Sequence, residues 1–105
     1  MITQFDVFVN PVPRARRAYP LVVILQADQA ATGNNRIVAP LVRRARSVTT
    51  MGRLTPRVNL DNAEHVVFVP ALMTVLVDEL REHRGQLARY RDDLVAALDY
   101  LFLGV

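Results

Sequence analysis

Each of the two histidines in this chain stands beside an acid, as Glu64-His65 and Glu82-His83. An imidazole next to a carboxylate is raw material for proton transfer or metal binding, because its charge changes near neutral pH. A zinc site asks for more: paired histidines one helical turn apart, or cysteine thiolates at short spacing. With neither pattern and no cysteine, both histidines read as ordinary side chains and no metal is expected. Asp92-Asp93 is the other carboxylate pair, but adjacent helical residues point about 100° apart. Those two acids therefore read as a solvated face. Ser47 is the only serine and lies outside any nucleophile-elbow sequence. Gly33 lacks the repeated glycines of a phosphate-binding loop. The residues predict neither an enzyme nor a cofactor.

What remains is charge. All 13 basic residues are arginine, and residues 14 to 57 hold nine of them against one acid, Asp28, while residues 58 to 105 hold four against eight acids. A basic surface of this kind attracts nucleic acid or an acidic protein segment. No helix-turn-helix, zinc-finger or aromatic RNA-binding signature accompanies it, so an acidic protein partner is the stronger expectation. The densest groups are Arg14, Arg16 and Arg17, and Arg43, Arg44 and Arg46.

The elements that must carry these side chains follow from periodicity and punctuation. A chain of 105 residues, 51% hydrophobic, reads as a single domain over 1–105 with a real core. The opening MITQFDVFVN has no basic-then-apolar leader, no apolar window reaches the roughly 20 residues of a membrane span, and cysteine is absent. A cytoplasmic protein without membrane contact is expected. Residues 3 to 10 alternate, with Phe5, Val7 and Val9 on one face and Gln4, Asp6 and Phe8 on the other, as a half-buried strand would. Asn10-Pro11-Val12-Pro13 punctuates, and Arg14 to Arg17 read as an exposed basic loop before Tyr19-Pro20.

A second strand is expected over Leu21 to Ala27, which is rich in β-branched residues. Thr32-Gly33-Asn34-Asn35 is turn chemistry, and Arg36 to Val42 resume a β pattern in which Pro40 favours an edge or bulged strand. Arg57 to Leu60, Asp61-Asn62 and Glu64 to Val69 read as a hairpin. The period then changes: Leu87, Tyr90, Leu94, Leu98, Leu101 and Phe102, with Ala97 between, mark an amphipathic C-terminal helix. Asp78 could cap an early start, and Gly85 argues for one near Gln86. Leu87, Leu94, Leu98 and Leu101 are its expected buried side. Strands followed by one helix give a mainly antiparallel β architecture with a long C-terminal α-helix.

Four stretches in this order resemble the CcdB toxin family. They are Gln4-Phe5-Asp6-Val7 with the basic loop and Tyr19-Pro20, then Leu25-Gln26-Ala27-Asp28, then Arg36-Ile37-Val38-Ala39-Pro40-Leu41, and finally Asp93 through Val105. The resemblance covers essentially the whole chain and is closest at the C-terminal aromatic, glycine and branched aliphatic residue. It implies a barrel-like SH3-like sheet, shared with the MazF ribonucleases, carrying the long helix and assembled as a two-fold homodimer.

The resemblance further implies a bacterial toxin of a type II toxin–antitoxin system. Such a toxin binds the DNA gyrase A subunit and traps gyrase on cut DNA, and a CcdA-like antitoxin with an acidic tail masks it. DNA is then reached only through gyrase or the toxin–antitoxin complex. Carried over residue by residue, the gyrase-binding positions are Asp99, Phe102, Leu103, Gly104 and Val105. Asp99 stands where the family commonly has Asn. Leu103 stands where a tryptophan stacks on a gyrase arginine, and leucine offers an apolar side chain without a π face. Leu76 replaces a frequent proline, a local packing change. By the same resemblance Arg14, Arg16, Arg17, Arg43, Arg44 and Arg46 form the antitoxin-binding surface. Two alternatives stand beside this reading: a CcdB-fold protein that no longer poisons gyrase and acts as a regulator or antitoxin decoy, and a MazF-like endoribonuclease. The second is disfavoured because the loop Pro11 to Arg17 lacks a Gly-Asp pair.

Overall fold

Main-chain pairing organises the molecule around one long strand. In the computed structural model, which describes residues 2–31 and 33–105, seven strands pair antiparallel: β1 (Asp6–Val9), β2 (Leu21–Ile24), β3 (Asn35–Arg43), β4 (Arg57–Leu60), β5 (Ala63–Val67), β6 (Met73–Leu76) and β7 (His83–Gln86). Their order is β4-β5-β3-β2-β1-β7, with β6 also on β3. β3 pairs with β2 along one edge. Its other edge is shared by β6, from Asn35 to Val38, and β5, from Leu41 to Arg43.

Pro40 therefore lies in a central strand paired on both edges, where an edge or bulged strand was expected. The Pro40 carbonyl accepts the Phe68 N–H at 2.9 Å, and the N and C=O of one strand residue face the same side. The missing donor thus falls where β3 changes partner from β5 to β6, and the ladder to β2 loses nothing.

Alternation along the strands builds a core on each face of the sheet. Val7, Val23, Ala39, Leu41 and Val67 face the C-terminal helix, while Phe8, Val22, Ile24 and Val38 face a second cluster closed by Val75 and Leu80. β1 is consequently buried on both faces, where a half-buried strand was expected. It also begins later than residue 3, because Asp6 N–H bonds the Thr3 carbonyl in a turn and Phe5 takes a left-handed φ of 70°.

The sheet curls into a half-barrel. Its two outermost strands in pairing order, β4 and β7, approach so closely that a Cβ on Gly85 would collide with the Leu60 side chain. Gly85 is thus a packing glycine inside a strand, and Arg84 beside it forms a bulge in the pairing to β1.

β4 and β5 form the expected hairpin. Asp61 and Asn62 both take positive φ, 52° and 61°, as a two-residue type I′ turn requires. β5 stops at Val67, two residues short of the expected Val69, which instead opens a 3-10 turn, Val69–Ala71, with Pro70 at its centre. Likewise β2 ends at Ile24, because the Leu25 and Gln26 N–H groups both turn onto the Ile37 carbonyl. Arg14 and Arg16 lie in a one-turn helix, α1 (Pro13–Arg16), opened by proline, where an irregular loop was expected. Of the Thr32–Asn35 turn, Thr32 lies outside the described residues.

The C-terminal helix, α2 (Arg91–Leu103), follows a turn at Ala88–Tyr90. The early start at Asp78 does not occur, since Val77–Glu79 form a separate 3-10 turn and β7 intervenes. Leu87, Leu94 and Ala97 are fully buried against the sheet, whereas Leu98 and Leu101 are only partly covered. No helix among the described residues is long and apolar enough to cross a membrane.

Candidate functional site

The end of α2 is built as a capped, protruding tip. Gly104 adopts a left-handed conformation (φ 72°, ψ 17°) and its N–H returns to the Tyr100 carbonyl at 3.0 Å. Glycine reaches that conformation without a Cβ penalty, so the helix stops cleanly. Around the cap, Phe102, Leu103 and Val105 are 67%, 70% and 76% exposed, and Asp99 is exposed one turn back. Large apolar side chains left in water this way mark a contact surface more than a fold requirement.

The tip does not stand alone. Phe102 lines an apolar cavity of about 180 Å³ with Leu25, Gln26, Ile37, Leu72 and Leu98. Gln26 shapes its far wall, donating to the Ala30 carbonyl at 2.8 Å and accepting the Ile37 N–H at 3.0 Å. Asp28 accepts the Gln4 N–H at 2.8 Å, which ties the same segment to the chain start. Neither Ile37 nor Leu72 was singled out for this site by sequence: Ile37 reads as one residue of an ordinary strand, and Leu72 lies outside every expected element. From the other side Arg53 stacks over the Tyr100 ring, 4.1 Å from its centroid, and holds the last turns of α2 against the Gly52–Leu54 turn.

Of the six arginines, Arg43 alone lines the groove beside Tyr19, and Arg16 lines a separate cleft with Glu79 and Glu82. That groove, of about 400 Å³, has Tyr19, Val42, Val48 and Phe68 as its apolar lining, with Arg43, Ser47 and Thr49 as its polar lining. All six arginines are exposed, but they are not equivalent. Arg16 Nε donates to the Asn10 carbonyl at 2.8 Å, and Arg44 pairs with Glu64 at 3.1 Å. The guanidinium groups of Arg14, Arg17, Arg43 and Arg46 make no hydrogen bond or ion pair among the described residues.

The histidines find partners the sequence did not indicate. His65 is buried and its Nδ1 lies 2.9 Å from the Ala63 carbonyl. His83 faces Asp6, with Nε2 3.3 Å from Oδ1, and its ring meets Phe8 edge-on. Asp6 also accepts the Thr3 N–H at 2.9 Å and the Gln86 side-chain amide at 2.9 Å. Burial alone would push the Asp6 carboxyl up, but the bonds from Thr3, His83 and Gln86 and the His83 charge outweigh it and leave the group below its ordinary value. This network, with the Phe8–His83 ring contact, adds side-chain links to the main-chain pairing of β1 with β7 and anchors that edge strand. Asp92 and Asp93 lie exposed in the first turn of α2, where negative charge suits the helix dipole.

Compared with known families, a family model described as CcdB protein matches residues 4–104. No curated protein matches the chain in sequence.

Proposed function

We propose a function from one premise: the chain belongs to the CcdB family. It is accordingly a toxin of the CcdB type from a toxin–antitoxin system, and its action rests on binding another protein. The target in this reading is the gyrase A subunit, reached by Asp99, Phe102, Leu103, Gly104 and Val105 and held so that gyrase stays on cut DNA. The supporting observation is the tip itself, three strongly exposed apolar side chains around a glycine-capped helix end. An apolar tip enters a cleft and contributes by removing surface from water, about 25 cal/mol per Å². Leu103 serves such a pocket, and stacking on an arginine is not part of its repertoire.

In the same reading a cognate antitoxin with an acidic segment masks the toxin through Arg14, Arg16, Arg17, Arg43, Arg44 and Arg46. The net charge of +3 and the four uncommitted guanidiniums among them favour that chemistry. A second copy of the chain completes the functional unit, placing two tips side by side in the cytoplasm, where gyrase works.

Binding of the purified protein to immobilised gyrase A subunit tests the tip directly. Deleting Gly104 and Val105 should abolish binding and leave the melting temperature near that of the intact chain. Undiminished binding by the truncated protein would place the active surface elsewhere.

A further inference from the structure

The geometry points to Arg53 as a positioning residue for the helix tip. Stacked on Tyr100, it fixes how Leu103 and Val105 are presented and so sets how tightly the tip holds its target, a claim that rests on the reading of the tip as the gyrase-binding surface. The early turns of α2 lie on the sheet through Leu94 and Ala97, both fully buried. Past Ala97 no residue of the helix is buried. A helix end that has left its core frays unless something else holds it.

Two opposite sides of the helix are available for that. At 100° per residue, Leu98 and Phe102 share one side, which faces the cavity lined by Leu25, Ile37 and Leu72. Asp93, Ala96 and Tyr100 share the other. Asp93 and Ala96 form a cleft with Arg53, Pro56 and Arg57, and one turn further on the Arg53 guanidinium lies 4.1 Å from the Tyr100 ring centroid. That guanidinium makes no hydrogen bond or ion pair among the described residues, so the ring is its partner.

The segment that presents Arg53 is itself fastened. Thr55, 2% exposed, accepts the Met51 N–H at 2.8 Å on its hydroxyl and donates its own N–H to the Gly52 carbonyl at 3.1 Å. Pro56 accepts the Val67 N–H at 3.0 Å, which ties the turn to β5. Arg53 therefore pushes on Tyr100 from a fixed backbone. Tyr100 in turn closes the helix, because its carbonyl accepts the Gly104 N–H at 3.0 Å. One residue thus receives the brace on its ring and the cap on its backbone, and Leu103 and Val105 flank that cap. A tip held in its bound shape binds more tightly than one that must be ordered on contact, since the ordering is subtracted from the binding free energy.

Amide exchange at Gly104, followed by NMR in the full chain, reads the brace, and binding to immobilised gyrase A subunit reads its consequence. Arg53 is exposed, so replacing it leaves the core intact. Arg53→Met keeps an unbranched stem and loses the cation. It should speed exchange at Gly104 and raise the Kd for gyrase A, each about two- to fivefold, the range for one cation–π contact at an exposed site. Tyr100→Leu should match it, and the double variant should be no worse than either single one. Tyr100→Phe, which keeps the π face, should behave as the unaltered chain. Unchanged exchange in Arg53→Met overturns the brace whether or not binding weakens, since weaker binding by an unaltered tip would make Arg53 a direct contact. Faster exchange with unchanged binding overturns the link to the target. Either result leaves the tip reading standing. An unaltered chain that does not bind the gyrase A subunit overturns the tip reading and the role of Arg53 together.

Discussion

Asp6 shows how one residue can look unremarkable in sequence and still anchor an edge strand. It is only 5% exposed and bonds Thr3, His83 and Gln86 at once. Because its folded carboxyl lies below the ordinary value, the unfolded chain takes up the proton first as pH falls, so the ionised group stabilises the fold most above the unfolded value of about 3.9. That contribution is lost as pH drops through about 4 toward the depressed folded value. Asp6→Asn should therefore cost about 1.5–3 kcal/mol at pH 7, the range for hydrogen bonds to a charged group. Thermal unfolding should show its gap to the unaltered chain narrowing below pH 4; a gap constant from pH 7 to pH 3 would remove the charge from the explanation. The same network was hidden from sequence because His83 follows Glu82, and nearness in the chain pointed to the wrong acid.

At the scale of elements, periodicity located most of the fold. β1 and β2 lie within the stretches whose alternation predicts them, and β3, the β4–β5 hairpin and α2 overlap theirs with ends that differ by a few residues. Two strands escaped. β7 reads His-Arg-Gly-Gln and offers no apolar alternation, since it is an edge held by main-chain bonds and by the Asp6 network. β6 is short and follows directly on a proline turn. Pro40 misled for a different reason: a proline is excluded from a central strand only when the edge that its N–H would face needs that donor, and here that edge changes partner at the same residue. The Arg53–Tyr100 stack joins residues distant in sequence, and no local spacing announces it.

The helix stripe was legible in identity but not in depth. Leu94 is fully buried and Leu98 only partly, because the sheet curls beneath the middle of α2 and the helix then runs out toward its exposed tip. Leu94→Ala should cost about 2–5 kcal/mol, as full large-to-small core substitutions do. Leu98→Ala should cost clearly less. Chemical denaturation of the two variants checks the order, and equal losses would contradict the placement of the helix.

For the molecule as a whole, the apolar surface near the tip is more than one capped helix end requires. Phe102, Leu103, Val105 and Ile37 are all exposed, and the cavity shared by Phe102 and Ile37 lies open beside them. A homodimer that covers part of this surface should appear in sedimentation at micromolar concentration, and a monomer throughout that range would argue against it. The tip was the most legible part of the site, because glycine followed by a branched aliphatic residue is a local pattern. The groove was the least, because Tyr19, Val42, Val48 and Phe68 come together only when β3 and the segment after α1 are placed side by side. The arginine groups were legible as charge, but which of them remain uncommitted depends on Asn10 and Glu64.

Trapping of gyrase on cut DNA by this tip, as proposed, is tested by one measurement. Purified protein is incubated with gyrase, supercoiled DNA and ATP, the enzyme is then denatured, and linear DNA is quantified. The account predicts linear DNA that depends on the intact C-terminus and increases for Leu103→Trp, whose indole adds a π face for stacking on an arginine. Supercoiling that proceeds without linear product at saturating protein, for both the unaltered chain and Leu103→Trp, would contradict it.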